Sequence, residues 1–149
     1  MNRPIRALIA LTIAATALSG CAGKAKAPTP TGPQTITIEV SYDDLLKQQQ
    51  ISRSVSMAVG DTLQITLGSN ASTGHHWNED LMISDPKVLT EKGHQTIAPS
   101  GGQPGAPGKE VWTLQAAAAG NTTVSTTYGQ PWTEGAKNTW LFSANVDVN

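Results

Sequence analysis

The chain has 149 residues, a formal net charge of −1 and a single cysteine. A charge balance so close to neutral gives no electrostatic basis for binding nucleic acid, and we expect no nucleic-acid partner. One cysteine cannot form an intramolecular disulfide, so burial of apolar side chains must stabilise the fold.

Residues 1–20 resemble a secretory signal segment. Arg3 and Arg6 form a short positive region, and residues 7–18 form an uncharged, mostly apolar run that is too short to span a bilayer comfortably. The LSGC stretch that ends at Cys21 resembles a bacterial lipobox, in which cleavage leaves the cysteine as an acylated N-terminus. We therefore expect an exported protein that is lipid-anchored through Cys21 to the bacterial cell envelope, at its periplasmic face or outer surface.

The remaining chain divides into a spacer and one domain. Residues 21–34 contain Pro, Gly, Thr, Ala and Lys but no large apolar side chain, which indicates a lipidated N-terminus followed by a flexible linker. Residues 35–149 are enough for one domain with one hydrophobic core.

Apolar residues in this domain alternate with a period of two, the pattern of half-buried β-strands. No stretch of the domain has a long 3.6-residue period, and only residues 43–47 suggest a single helical turn. The predicted strands cover residues 35–40, 54–59, 62–67, 77–83, 88–97, 110–114, 124–128 and 140–148. Seven to eight short strands predict an all-β, immunoglobulin-like two-sheet sandwich.

Three connections are longer than a hairpin requires. They are the first loop (residues 68–75), the second loop (residues 99–108) and the third loop (residues 129–138). Successive connections in an antiparallel path alternate between the two ends of a sandwich, and every second connection here is long. We therefore expect all three loops at one end, forming a shared binding surface.

Each of these loops carries residues suited to a stiff tip. Asn70 can close an Asx turn, and Gly74 permits a positive φ. Pro107 favours an extended Ala106, and Pro131 stiffens the aromatic residue that follows it. The candidate binding residues are Asn70, Ala71, Ser72, Thr73 and Gly74 in the first loop, Gly105, Ala106, Pro107 and Gly108 in the second, and Gln130, Pro131 and Trp132 in the third.

As a set, these loops resemble those of chagasin-type inhibitors of papain-like cysteine peptidases, which carry Asn-Pro-Thr-Thr-Gly, Gly-x-Gly-Gly and Arg-Pro-Trp. The resemblance extends over residues 54–149. Ala71 and Ser72 replace Pro-Thr, Pro107 replaces the inner glycine, and Gln130 replaces the arginine. Since glutamine lacks the arginine's charge and proline lacks an N–H, we expect altered selectivity towards target peptidases.

The resemblance implies an immunoglobulin-like scaffold that wedges its loops into the cleft of a papain-like cysteine peptidase and blocks it reversibly. The first loop, around Thr73, would cover the thiolate–imidazolium pair of the target, and the other two loops would hold the groove walls. Trp132 would be the anchor. The chain would act as a monomer without a cofactor and would catalyse no reaction.

Three histidines raise the question of a metal site. His75 and His76 are neighbours and would point to opposite faces of a strand, so they cannot easily chelate together, and His94 is distant in sequence. No His-x-His spacing or cysteine partner supports a site. We expect no metal, and interpret these histidines as solvated loop residues.

Two alternatives to inhibition remain. A non-inhibitory adhesion or carbohydrate-binding lipoprotein of the envelope would use an aromatic strip on a sheet face. A lipoprotein that helps an envelope complex to assemble would use the loops only structurally. A structure can distinguish the first alternative from inhibition, because an inhibitor requires Trp132 and the loop around Thr73 to lie at the same end of the domain.

Overall fold

Two β-sheets packed face to face form the domain in the computed structural model, which describes residues 31–132 and 139–149. Within those residues there are nine strands, one short α-helix and one 3-10 turn at Ala71–Thr73. The elements are β1 Thr35–Val40, α1 Tyr42–Lys47, β2 Gln50–Met57, β3 Thr62–Ser69, β4 His76–Trp77, β5 Met82–Ile83, β6 Leu89–Ile97, β7 Gly108–Ala116, β8 Gly120–Gly129 and β9 Trp140–Val148.

One sheet has the strand order β1-β3-β7-β6 and the other β2-β9-β8-β4, with β5 pairing to β8. β1 is parallel to β3 and β2 is parallel to β9, whereas the other pairs are antiparallel. Helix α1, capped by the Ser41 side chain on the N–H of Asp44, carries the chain from the first sheet to the second. The predicted all-β sandwich is confirmed, with nine strands instead of seven to eight.

The additional strand arises where the sequence predicts one strand over residues 77–83. That prediction is wrong, because the strand is interrupted over residues 78–81, between β4 and β5. The carbonyl of Glu79 accepts a hydrogen bond of 2.7 Å from the indole N–H of Trp112. This backbone group therefore satisfies a core tryptophan from the opposite sheet, and the β-ladder is interrupted.

The core lies between the inner faces of the two sheets and contains the apolar sets expected from the alternation. The fully buried large side chains include Leu63, Ile65 and Leu67 of β3, Trp112 and Leu114 of β7, and Phe142 of β9. Trp77 packs edge-on against Trp112, with ring centroids 6.5 Å apart. Trp77 and Trp112 are core residues, and Trp140 is partly buried and packs against the core.

The strand register gives the sandwich two distinct ends. We call the end where β3, β6 and β8 finish the loop end, and the opposite end, where β1 and β3 begin, the far end. Gln34 is attached at the far end, because its carbonyl accepts a 2.7 Å hydrogen bond from the N–H of Thr62. β9 also finishes there, with Val148 opposite Gly120. No helix among the described residues has the length and apolarity needed to cross a bilayer.

Asp61 organises the turn at the far end. Its carboxylate accepts backbone hydrogen bonds from Gln34 (2.8 Å) and from Ala58 (2.9 Å). These two N–H donors lower the pKa of the Asp61 carboxyl below its ordinary value of 3.8. Asp61 thereby connects the start of β1 to the β2–β3 turn.

We expect the stabilisation by Asp61 to depend on pH. A lowered folded-state pKa stabilises the fold above pH 3.8, and this contribution is lost as the pH falls through the folded-state pKa. Urea unfolding at pH 7, 5, 4 and 3 should show Asp61→Asn less stable than wild type at pH 7, with the difference shrinking below about pH 4. Asp80→Asn, at an exposed carboxyl, serves as the control and should parallel wild type. A difference between Asp61→Asn and wild type that stays constant with pH would contradict this role.

Candidate functional site

The first loop is a preformed turn at the end of β3. The Asn70 side-chain oxygen accepts hydrogen bonds from the Ser72 N–H (3.2 Å) and the Ser72 hydroxyl (2.6 Å). Gly74, with φ of 75°, ends the 3-10 turn in the left-handed region, which glycine adopts without steric cost. Both the predicted Asx turn and the predicted positive φ are confirmed.

Tyr128 of β8 holds the base of this loop. Its hydroxyl accepts a hydrogen bond from the Asn70 N–H (2.9 Å) and lies 3.4 Å from the Asn70 carbonyl, to which it donates. Burial raises the pKa of the Tyr128 phenol, so the hydroxyl stays protonated and can make both contacts. Local pattern predicts that Tyr128 lies in a strand, but it does not predict this role, which depends on a contact across 58 positions.

The first loop is joined directly to the second. The side-chain amide of Asn70 donates a 2.9 Å hydrogen bond to the carbonyl of Gly105. Gly108 lies so close to β6 that a Cβ on it would be 2.5 Å from the Ile97 carbonyl. Gly108 is therefore needed for close approach within the chain itself.

The first loop is also joined to the third. The side-chain amide of Gln130 donates a hydrogen bond of 3.2 Å to the carbonyl of Thr73. The Trp132 ring lies over Gly74, where a Cβ would be 2.8 Å from the Trp132 Cη2 atom. The last part of the third loop, residues 133–138, lies outside the described residues. Gln130 therefore connects the third loop to the first. The comparison with the family motif, in which Gln130 replaces an arginine, does not predict this contact.

These contacts bring the twelve candidate residues together at the loop end, which confirms the predicted convergence of the three tips. We call the set joined by the Asn70–Gly105 and Gln130–Thr73 hydrogen bonds the loop ridge. Its exposed residues are Ala71, Ser72, Thr73, Gly105, Pro107, Pro131 and Trp132, and its buried or partly buried residues are Asn70, Gly74, Ala106, Gly108 and Gln130. The exposed residues of the ridge are thus available to a partner, while hydrogen bonds within the chain hold the ridge in place.

Residues 56–146 match the chagasin family peptidase inhibitor I42. The chain belongs to this chagasin family. Its function is therefore the inhibition of papain-like cysteine peptidases, and it is not an enzyme. A comparison with the curated proteins gives no significant match.

Solved structures share the chagasin-like fold. The cysteine protease inhibitor EhICP2 from Entamoeba histolytica is 20% identical, with a TM-score of 0.57, and the match covers 79% of this chain and 100% of EhICP2. Amebosin is 21% identical, with a TM-score of 0.54, over 80% of this chain and 100% of its own. PbICP-C, solved in complex with falcipain-2, is 17% identical, with a TM-score of 0.52, over 78% and 99%. At these identities the likeness establishes the fold.

The histidines of this chagasin-family chain differ from the solvated residues that the sequence analysis predicts. Only His76 is exposed. His75 stacks on Tyr128 with ring centroids 5.4 Å apart, and its Nδ1 lies 3.1 Å from the Thr73 hydroxyl, so it supports the first loop from below. His94 Nε2 lies 2.9 Å from the Glu110 carboxylate, and its ring stacks on a core tryptophan. In the described part of the chain, no group of three or more His, Cys, Asp or Glu side chains could hold a metal ion.

Proposed function

We propose that the loop ridge carries the inhibition, entering the active-site cleft of a papain-like cysteine peptidase as a single reversible wedge. The observation that supports this most directly is the pair of hydrogen bonds that joins the three loops, Asn70 to Gly105 and Gln130 to Thr73. Loops fixed before binding lose little conformational entropy when they dock, so more of the contact energy contributes to affinity.

The first loop is suited to blocking a peptidase without being cleaved. The Asn70 carbonyl accepts a hydrogen bond from the Thr73 N–H, the Ala71 carbonyl accepts one from Gly74, and the Thr73 carbonyl accepts one from Gln130. Cleavage requires a carbonyl that can be polarised by the oxyanion-hole donors of the enzyme and attacked by its thiolate. Carbonyls that are already bonded inside a tight turn are poor substrates for that step.

Two further observations agree with this proposal. PbICP-C, which has this fold, was solved in complex with falcipain-2. An adhesion or carbohydrate-binding module would need an aromatic strip on a sheet face, and Trp132 is the single aromatic among the exposed large apolar side chains of the described residues. Trp132 instead lies beside Gly74 at the loop end. The geometry favours a wedge over a sheet-face binding surface.

The decisive experiment is inhibition of papain by the full chain, solubilised in mild detergent, and by its Trp132→Ala variant. Trp132 is 51% exposed in the free protein, and a tryptophan buried at the centre of an interface often contributes a few kcal/mol. We expect stoichiometric inhibition by wild type, and an inhibition constant raised about 30- to 1,000-fold by Trp132→Ala.

Met82→Ala is the matched control, since Met82 is 72% exposed on β5, away from the loop end. It should inhibit like wild type. Full inhibition by Trp132→Ala would remove the third loop from the proposed interface, and the absence of inhibition by wild type would overturn the proposal as a whole.

We also propose that the protein is exported and held at the bacterial envelope by a lipid on Cys21. Support comes from the signal-like residues 1–20 and the lipobox-like LSGC sequence, all of which lie outside the described residues. The described domain is compatible with such a tether, because Gln34 is bonded at the far end, opposite the loop ridge.

The anchor can be tested in a Gram-negative host grown with a palmitate analogue. Wild type should incorporate the label and sediment with membranes, whereas Cys21→Ser should do neither, because a serine there offers no thiol for acylation. Ser19→Ala changes a neighbouring residue while keeping the cysteine, and it should behave like wild type. Membrane sedimentation of Cys21→Ser equal to wild type would refute attachment through this residue.

A further inference from the structure

An open hollow of about 300 Å³ lies beside the loop ridge, between the first loop and the end of β6. Asn70 and Gly105, which are hydrogen-bonded to each other, form one wall of it. Residues 96–99 also line it, and they lie outside the twelve residues of the ridge and outside the three family motifs. The hollow is therefore continuous with the proposed interface and extends beyond the family motifs.

The lining of this hollow is suited to an apolar guest. The residues that line it include Ala71, Ile97, Ala98, Pro99 and Ala106, and none of the described residues that line it is charged. Ile97 is 45% exposed and belongs to the few large apolar side chains that the described residues leave exposed. An apolar cavity of about 150 Å³ holds a benzene ring, so this hollow has room for one large apolar side chain.

The position of the hollow relative to the three loops indicates which part of a bound peptidase would reach it. The first loop contacts the third loop through Thr73 and Gly74 and contacts the second loop through Asn70. An exposed tryptophan therefore lies beside one part of the first loop, and the apolar hollow lies beside another part. When the first loop enters a cleft, one groove wall faces Trp132 and the other faces the hollow.

We propose that the hollow receives one apolar side chain from the groove wall of the peptidase that faces the second loop. Ile97 and Ala98 then help to determine which peptidases are bound tightly, because an enzyme with a charged or bulkier group at that place cannot fill the hollow. This inference rests on the proposed function, since the hollow meets the wall only when the loop ridge is in the cleft.

The first test removes the apolar contact that Ile97 would make with the peptidase. Ile97→Ser in the full, detergent-solubilised chain removes most of the apolar area that Ile97 offers, and the inhibition constant for papain should rise about tenfold. Val59→Ser is the matched control, because Val59 is also half exposed, at 50%, but lies at the β2–β3 turn of the far end. It should leave inhibition within about twofold of wild type. Thermal unfolding followed by circular dichroism checks that both variants fold.

The second test fills the hollow. Ala98→Phe places a ring in the space that the peptidase side chain would occupy, and inhibition of papain should again weaken by about tenfold or more. Support requires that both Ile97→Ser and Ala98→Phe weaken inhibition. Inhibition by Ala98→Phe that is equal to or tighter than wild type would overturn the inference, whatever Ile97→Ser does, and so would unchanged inhibition by Ile97→Ser.

These outcomes are distinguishable from failure of the proposed function. If the ridge is the interface but no peptidase side chain enters the hollow, Trp132→Ala weakens inhibition while Ile97→Ser or Ala98→Phe does not. If the proposed function fails, wild type does not inhibit papain, and the hollow loses its role together with the ridge.

Discussion

Replacing Gly74 by alanine is expected to weaken inhibition of papain about 100-fold while lowering the free energy of unfolding by only about 1–2 kcal/mol. Gly74 has a φ of +75°, where a residue with a Cβ is strained. The new methyl group would also lie 2.8 Å from Cη2 of Trp132. Because that atom is the far end of an exposed side chain, the ring can swing away at little cost in stability, but the anchor then leaves its position in the loop ridge.

Gly102→Ala separates these two effects. Gly102 has a φ of +62°, so alanine there has a similar backbone strain, but a Cβ would meet nothing within 4 Å. It should lose a similar amount of stability in urea unfolding and keep nearly wild-type inhibition. If the two variants inhibit equally, the contact between Gly74 and Trp132 does not position the anchor.

The second large effect is expected at Asn70, which is the centre of the loop ridge. Asn70→Ala removes the acceptor for the Ser72 N–H and hydroxyl and the donor to the Gly105 carbonyl. Loss of a buried cap and of one inter-loop hydrogen bond should lower the free energy of unfolding by about 1–3 kcal/mol. The inhibition constant should rise about 100-fold, because the first and second loops are no longer fixed to each other.

Asn70→Asp separates the two roles of Asn70, which are to close the Asx turn with Ser72 and to link the first loop to Gly105 in the second. The carboxylate keeps an acceptor for Ser72, but it cannot donate to Gly105 and instead faces that carbonyl with negative charge. We expect a normal turn, an unlinked second loop and inhibition weakened about tenfold, with faster amide exchange in the second loop. Asn78→Ala removes a different side-chain hydrogen bond, to Thr127, and should inhibit like wild type. Tight inhibition by Asn70→Asp would mean that the bridge to Gly105 is dispensable.

The features that the sequence predicts well are those fixed by neighbours in the chain. The period of two along residues 35–40 and 62–67 corresponds to β1 and β3, and the Asx turn at Asn70 needs only Ser72 two positions away. The shared end of the three loops follows from the alternation of strand directions. Each of these inferences uses local pattern and general topology.

The features that the sequence does not predict depend on contacts between distant positions. The break within residues 77–83 occurs because the Glu79 carbonyl meets Trp112, 33 positions away. Gln130 bonds to Thr73 across 57 positions, and His94 pairs with Glu110 on the neighbouring strand. Residue type alone indicates that such groups need partners, but the partner is known only when the sheets are assembled.

The placement of the first and last strands of the domain has a consequence for how the inhibitor meets its target. Gln34 and Val148 both lie at the far end, opposite the loop ridge. With a lipid on Cys21, the 13 residues 22–34 would let the domain stand at most about 45 Å from its attachment point. Because the tether would leave from the far end, the blocking edge would stay clear of the attachment point and remain accessible to an approaching peptidase.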